Sequence, residues 1–244
     1  MAEYSFIGKG KVYGRVKGDA SKLYPFGNVS DLTAAVEEDE KSLQNFQSAG
    51  GGKLNSIRRI QAVTINMTMT DFNAANIALA LFGDVAAIAG GSVTDESVIG
   101  YKDSLVRLAN IAPTNVVVDN DPATTPYTEI SDYEVTNAGI YIPLTSSIVD
   151  SAALLIDYDF GDQNVVQALM NSASELELVF DGLNEAQSGK AVVVDMHRVK
   201  FGATGGLPMI GDDFGNLPLS GELLADTSKG SNLSQYMVWN AIEA

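Results

Sequence analysis

A long polar excursion interrupts the strand pattern near the start of this chain. A strand signal begins at Leu32 and turns acidic at residues 37–40, and alternation of apolar and polar residues resumes only at Ile57. The residues between are polar and rich in glycine, so they add little to the core of a β domain. We therefore expect this segment to contact another molecule, and a second copy of the chain is the leading candidate.

The remaining pattern is dominated by the two-residue period of half-buried strands. We predict strands over residues 11–16, 32–38, 57–70, 115–118, 131–135, 154–160, 175–180, 192–201 and 236–242. Residues 71–83 predict the main helix, because Asp71 or Asn73 can cap its first amides and Gly83 suits the left-handed position after its end. The predicted fold class is mainly β, a β-sandwich or barrel with a flanking α-helix.

Residues 85–151 look like material added to this β domain. The segment from Asp119 to Pro122 carries loop signals, and the strands around it are short. We predict a peripheral β insertion over residues 85–151. Residues 1–84 and 152–244 then form the two parts of the main domain.

Charge is the strongest compositional feature. The chain has 31 acidic and 15 basic residues, a net charge of −16. Tight binding to a nucleic-acid backbone requires clustered Lys and Arg that displace counterions, so this composition argues against a protein that binds the phosphates of nucleic acid tightly. High charge serves solubility. It would equally suit a protein that lies beside DNA without binding it, and composition leaves both explanations open.

Composition also limits the chemistry and the location. There is no cysteine, which removes disulfides, thiolate metal sites and thiol nucleophiles and is compatible with the cytoplasm. No apolar run reaches the roughly 18 residues of a membrane span. The first residues lack the basic start and apolar core of a signal peptide. We expect no membrane association.

Two features resemble a catalytic or ligand-binding motif, but neither meets the requirements of such a motif. A phosphate loop needs glycine where Gln47 stands and Ser or Thr where Leu54 stands, so residues 49–53 predict a flexible glycine tip. His197 is the only histidine and cannot alone build a metal site or a triad. Strand alternation puts it on one face with Val199 and Phe201, which predicts a structural role. We expect no catalytic residue, no cofactor and no metal, and therefore not an enzyme.

Two strands alternate carboxylates with apolar side chains. Asp157 and Asp159 lie in one, and Glu175 and Glu177 lie in the other. Each strand therefore has an apolar face for the core and an acidic face for water. Simple solvent exposure explains this pattern unless the water is a confined channel.

Several segments, in this order and spacing, resemble the major tail tube proteins of long-tailed bacteriophages. The likeness covers most of the chain outside residues 85–151. It is carried by residues 24–30, 37–40, 47–52, 58–60, 71–73, 78–83, 180–186, 188–190, 195–199, 207–212 and 219–222.

The resemblance implies a structural virion protein that self-assembles into stacked hexameric rings. These rings form a hollow tail tube, the conduit for DNA ejection, in which strands of six copies close a continuous β-barrel and DNA passes without specific binding. Implied partners are further copies and other tail proteins: the tape measure, the terminator, and a baseplate or tip. The implied location is the phage tail, assembled in the host bacterial cytoplasm.

The resemblance also implies roles for particular residues. The loop that stacks one ring on the next maps to residues 38–56, with Glu38, Asp39, Glu40, Gln47, Gly50, Gly51, Gly52 and Lys53 as its contact candidates. At the base of this loop, we expect Arg58 or Arg59 to pair with a carboxylate of an adjacent subunit. For the lining of the lumen, Glu175 and Glu177 are the first candidates, and Asp157 and Asp159 are the second.

Other function classes remain open at this point. A tube protein like that of type VI secretion is the nearest structural rival. A carbohydrate-binding β-sandwich would use carboxylates and aromatic residues, although Trp239 is the only tryptophan. An acidic hydrolase is disfavoured by the single histidine and the lack of cysteine.

Overall fold

The computed structural model describes residues 4–20, 22–47, 49–230 and 232–242, and these residues form a mainly β protein with 54% strand and 4% helix. The chain divides into two compact units. Unit 1 comprises Met1–Asp84 with Val166–Ala244, and unit 2 comprises Val85–Val165. No helix within the described ranges is long and apolar enough to cross a membrane.

Sixteen strands and one α-helix are seen in the described residues. In chain order they are β1 Gly8–Val16, β2 Tyr24–Pro25, β3 Val29–Gln44, β4 Lys53–Met69, α1 Ala74–Ala80, β5 Asp84–Ile88, β6 Gly91–Gly100, β7 Ser104–Arg107, β8 Thr114–Asn120, β9 Glu134–Thr136, β10 Gly139–Ile142, β11 Ala152–Phe160, β12 Gln163–Gln167, β13 Glu175–Asn184, β14 Lys190–Phe201, β15 Leu217–Leu223 and β16 Met237–Ala241.

Unit 1 is organised by one large antiparallel sheet in the order β2-β1-β13-β14-β15-β4-β3. Strand β14 pairs with two further strands besides β13. Strand β16 pairs with its first half, and β15 pairs with its last three residues. The sheet stays open in the described residues, since β2 and β3 end the order and do not pair with each other. Inward side chains of β1, β4, β13, β14 and β15 form one core with Ala80 of α1.

Unit 2 has its own core between two three-stranded sheets, ordered β7-β10-β9 and β6-β11-β8. Strand β11 is central here and pairs with β6 and β8 only. The predicted end of the insertion at residue 151 therefore differs from the structure, where unit 2 continues to Val165. Alternation shows that residues 154–160 form a strand, but it does not show which sheet the strand joins.

The helix is shorter than predicted. It runs over Ala74–Ala80 rather than residues 71–83, and Asn73 is its N-cap, with its side chain accepting a hydrogen bond from the amide of Asn76 at 2.8 Å. The left-handed position after its end is occupied by Phe82, with φ of 50°, and not by Gly83. Asp71 instead accepts a hydrogen bond from the amide of Asn28 at 3.1 Å, which ties the helix entrance to the residue just before β3.

Candidate assembly surfaces

The polar excursion is a two-stranded ribbon and not the long loop predicted over residues 38–56. Strands β3 and β4 pair, with register shifts at residues 37–38 and 43–44, until Gln44 lies opposite Lys53, and residues 45–52 lie between the two strands. All residues of both strands from 37 to 44 and from 53 to 61 are exposed. We call residues 37–61 the arm. The polar sequence of the arm did not predict these strands, because a strand in the arm is defined by its hydrogen bonds to the facing strand and not by its own residue pattern.

The tip of the arm uses the glycines that the sequence singles out. The amide of Asn45 donates to the carbonyl of Gly52 at 2.7 Å and closes the loop. Gly51 and Gly52 have φ of 63° and 113°, a region that favours glycine. Ser48 lies outside the described residues. The tip is thus a closed turn at the end of the ribbon.

Large apolar side chains are exposed along the arm. Phe46 at the tip is 87% exposed, and Leu43, Leu54, Ile57 and Ile60 each expose about half of their surface. Exposed apolar groups that lie close together commonly mark a surface that another molecule covers. The arm therefore has the character of a docking element.

The charges of the arm are arranged along its length. Residues 41–59 contain four basic residues and no acidic one, although the whole chain has a net charge of −16. The acidic residues 37–40 lie at the base. Lys53 and Arg58 both form ion pairs with Glu40, Arg58 at 3.3 Å, and these neighbours lower the pKa of the Glu40 carboxyl.

Arg58 and Arg59 differ in their surroundings. Arg58 contacts Glu40 and also Glu38 at 3.6 Å, so a partner within the same chain is present for it. Arg59 lies opposite Asp39 in the register but forms no ion pair with any residue that the structure describes. Arg59 is therefore the better candidate for a contact between subunits.

Glu175 and Glu177 lie side by side on the non-core face of β13, where each is paired with an arginine. Arg198 donates to both carboxylate oxygens of Glu175 at 2.8 and 2.6 Å, and Arg15 contacts Glu177 at 2.6 Å. The guanidinium of Arg198 lowers the pKa of Glu175. These two candidates for the lining of the lumen are therefore both paired with a basic side chain.

The same face carries both signs of charge in nearly equal number. Residues directly opposite each other on paired strands share a face, and Lys11 opposes Asp181 while Glu175 opposes Lys200. On β1, β13, β14 and β15 this face holds the following charged side chains: Lys9, Lys11, Arg15, Glu175, Glu177, Asp181, Asp195, Arg198, Lys200 and Glu222. The expected carboxylate face is thus a mixed-charge face.

A bulge in β14 explains why His197 is not on the predicted face. Leu176 pairs with Val199 and Leu178 pairs with Met196, so two residues, His197 and Arg198, lie opposite Glu177 alone. The extra residue interrupts the alternation. His197 consequently does not join the core beside Val199 and Phe201.

His197 instead lines a cavity of about 270 Å³ whose other charged residues are Arg15, Glu177, Asp195 and Lys229. Burial and then the charge of Lys229 lower the pKa of His197. A separate ion pair lies close to His197 in space, because Lys17 donates to Asp226 at 2.6 Å and also to the carbonyl of His197 at 3.5 Å. The cavity is lined by two carboxylates and two basic side chains besides His197, so it has no clear preference for an anion or a cation.

Asp157 and Asp159 belong to unit 2 and have partners there. The amide of Asp95, whose φ is 56°, donates to Asp157 at 2.7 Å. The side-chain amide of Asn115 and the hydroxyl of Ser92 donate to Asp159 and lower the pKa of its carboxyl. These carboxylates hold irregular points of the β6-β11-β8 sheet, which gives them a structural role in unit 2.

The negative charge is concentrated in unit 2. Residues 85–165 contain 12 acidic and two basic residues, a net charge of −10 out of −16 for the chain. No cluster that could hold a metal ion is found among the described residues. The net charge of the chain therefore reflects the acidic residues of unit 2 more than those of the mixed-charge face of unit 1.

A second exposed apolar segment was not predicted from the sequence. The loop of residues 202–216 joins β14 to β15 and exposes Met209 by 83%, Ile210 by 100% and Phe214 by 98%. We call it the β14–β15 loop. Its glycines and Pro208 signal a loop, but pattern alone cannot show that its apolar side chains find no place in the core.

An open groove of about 740 Å³ lies in unit 1 along residues 28–34 of the end strand β3. Apolar side chains of β1, β4, β13, β14 and β16 line its floor and rim. Phe6 and Trp239 meet there edge to face, with ring centres 5.2 Å apart. The groove borders the free edge of the sheet.

The pattern of a family described as protein of unknown function UCP028589 matches residues 5–240. The chain belongs to this family. The match of the UCP028589 family spans residues of both units and includes the arm and the β14–β15 loop. No curated protein matches the chain.

Proposed function

We propose that this protein is the structural subunit of a phage tail tube, which self-assembles into stacked hexameric rings and forms the conduit for DNA. The arm is the observation that carries the proposal. A two-stranded ribbon that packs on nothing is at best marginally stable in water. This one exposes five large apolar side chains, and burying them on a neighbour would contribute roughly 1.5–3 kcal/mol for the largely exposed Phe46 and about half of that for each of the other four.

The architecture of unit 1 supports assembly within a ring. Side chains from both ends of the sheet order share one core, as in a sheet that folds over itself into a sandwich. Strands β2 and β3 leave free edges, and free edges are templates for pairing with another chain. Closing a ring of copies would cover them.

The mixed-charge face of β13 and β14 is the proposed lining of the bore. Its paired charges would make the lining close to neutral rather than strongly repulsive. Such a lining offers DNA no cluster of unpaired Lys and Arg, so phosphates find no strong binding site. DNA could then slide past Glu175 and Glu177 without being held.

Electron microscopy and sedimentation of the purified full chain test this proposal. We expect negatively stained samples to show rings or hollow rods of uniform diameter, and sedimentation to show species far larger than 25.8 kDa. A folded protein that stays monomeric at high concentration, in the presence and absence of added salt, would contradict the proposal. A tube of the type VI secretion kind would also give rods, so the source of the gene would decide between these two tubes.

A second candidate, carbohydrate binding, has one observation in its favour. The groove along β3 brings Phe6, Phe180 and Trp239 together, and aromatic rings pack well against the apolar faces of sugars. Titration with a panel of oligosaccharides, followed by the fluorescence of Trp239, would reveal such binding. A flat response with rods in the microscope would leave the tube as the function.

A further inference from the structure

Strand β4 places two unpartnered apolar elements at opposite ends of unit 1. Its first residue, Lys53, adjoins the tip of the arm, and its last residue, Met69, pairs with Leu217 directly after the β14–β15 loop. The strand has 17 residues and rises about 3.3 Å per residue, so its ends are roughly 50 Å apart. Neither element can cover the other within one molecule.

The β14–β15 loop is held firmly at its base and presents its apolar side chains outward. The amide of Thr204 donates to the carbonyl of Ala80 at 2.8 Å, and Leu207 packs against the core of unit 1. A Cβ at Gly215 would lie 2.8 Å from the ring of Phe72, so the backbone there packs closely on that ring. Ile210 and Phe214 are nevertheless almost completely exposed.

The two elements are complementary in charge as well as in apolar surface. Beyond the pair of Glu40 with Arg58, the outer part of the arm, residues 41–57, carries Lys41 and Lys53 and no acidic residue. The β14–β15 loop carries Asp212 and Asp213 and no basic residue. Opposite charge steers two surfaces together and fixes their register, while like charge at the same contact is penalised.

From these observations we infer that the tip of the arm of one copy docks on the β14–β15 loop of the next copy, a contact that rests on the proposed function and identifies the receptor of its arm. The contact is head-to-tail, since it joins different surfaces of two identical chains. Head-to-tail contacts at opposite ends of a subunit generate open filaments. Repeated in every subunit of a ring, this contact stacks ring upon ring.

Disulfide trapping tests the contact directly, because the chain contains no cysteine. Gln47→Cys at the tip and Gly211→Cys in the loop are both at exposed positions. Mixed and mildly oxidised, these two variants should give a covalent dimer. Gln47→Cys mixed with Glu129→Cys of unit 2 is the matched control and should give little. Equal dimer in both mixtures, or in neither, would overturn the inference.

A charge exchange provides a second and independent readout. Asp212→Lys with Asp213→Lys should weaken association about tenfold, because two basic residues then face the basic outer part of the arm. Adding Lys41→Glu and Lys53→Glu to the same chain should restore association. Loss without restoration would overturn the inference, as would unchanged association of the first double variant.

The two hypotheses fail in different ways. Rods that form normally in the Asp212→Lys, Asp213→Lys variant, together with no specific disulfide between the Gln47→Cys and Gly211→Cys variants, would refute the contact and leave the tube intact. A specific disulfide between copies that never form rings or rods would support the contact and refute the tube. Circular dichroism of each variant confirms that the fold is retained.

Discussion

Arg198 holds the carboxylate of Glu175 with two hydrogen bonds, from Nε to Oε2 at 2.8 Å and from Nη2 to Oε1 at 2.6 Å. Two-point pairing of this kind fixes both planar groups and is among the stronger contacts between charged side chains. It raises the pKa of Arg198 and lowers that of Glu175, so both groups are charged at neutral pH. The net charge of this face is set by such pairs.

Reversing two acids on this face should convert it into a DNA-binding surface. Glu175→Lys with Glu177→Lys adds positive charge next to Arg198 and Arg15, and phosphates should then be retained. We expect DNA to sediment with tubes of this variant at low salt and to be released as salt rises. Glu129→Lys with Glu134→Lys makes the same charge change on unit 2. Equal DNA retention by both variants would show that this face does not line the bore.

The Lys17–Asp226 pair should make stability depend on pH in the acidic range. Asp226 is buried, and its hydrogen bonds from Lys17 and Ser228 hold its pKa below the ordinary value near 4. Because the folded-state pKa is depressed, the stabilisation is complete above about pH 4 and is lost as the pH falls through the folded-state pKa. Thermal melts of Asp226→Asn should therefore show a lower Tm at pH 7 and a shrinking difference towards pH 3. Asp213→Asn, at an exposed position, should show no such pattern, and a constant difference for Asp226→Asn would argue against the ion pair.

Truncation of the core of unit 2 should destabilise that unit selectively. Ile156 is fully buried on β11, and Ile156→Ala should cost about 2–5 kcal/mol of unfolding free energy. Hydrogen exchange should show faster opening of β6, β8 and β11, with β13 and β14 unchanged. Ile130→Ala removes an exposed side chain of the same type and should be nearly neutral. Equal acceleration in both units would mean that the two cores unfold together.

Arg59 should contribute to assembly without contributing to folding. Arg59→Glu reverses a charge that has no ion pair among the described residues, so the Tm should barely change while tube formation weakens about tenfold at low salt. Arg58→Gln, which loses the contacts to Glu38 and Glu40, is the comparison. The difference between the two variants should diminish at about 0.5 M salt because of screening. Equal assembly of both variants at low salt would exclude a special role for Arg59.

Local chemistry was enough to predict much of the framework of unit 1. The strands predicted over residues 57–70 and 192–201 correspond to parts of β4 and β14, because residues 62–69 and 192–196 bury one face of the strand and not the other. Asn73 was a candidate cap and is the cap, since its side chain needs only an amide three residues away. The arm was harder, because Glu38 and Arg58 follow no burial pattern and their strands are defined only by each other's hydrogen bonds.

The sequence by itself determined that this is a mainly β chain with a helix within residues 71–83 and a strongly acidic charge, because these properties depend on composition and on neighbours a few residues apart. Only the tertiary structure decided that Arg198 neutralises Glu175, that β11 belongs to unit 2, and that Ile210 and Phe214 lie outside every core. Each of these depends on groups distant in the chain, or on a bulge that shifts the alternation by one residue. Pairing between distant strands is set by the free energy of the whole packed sheet, and no local pattern contains it.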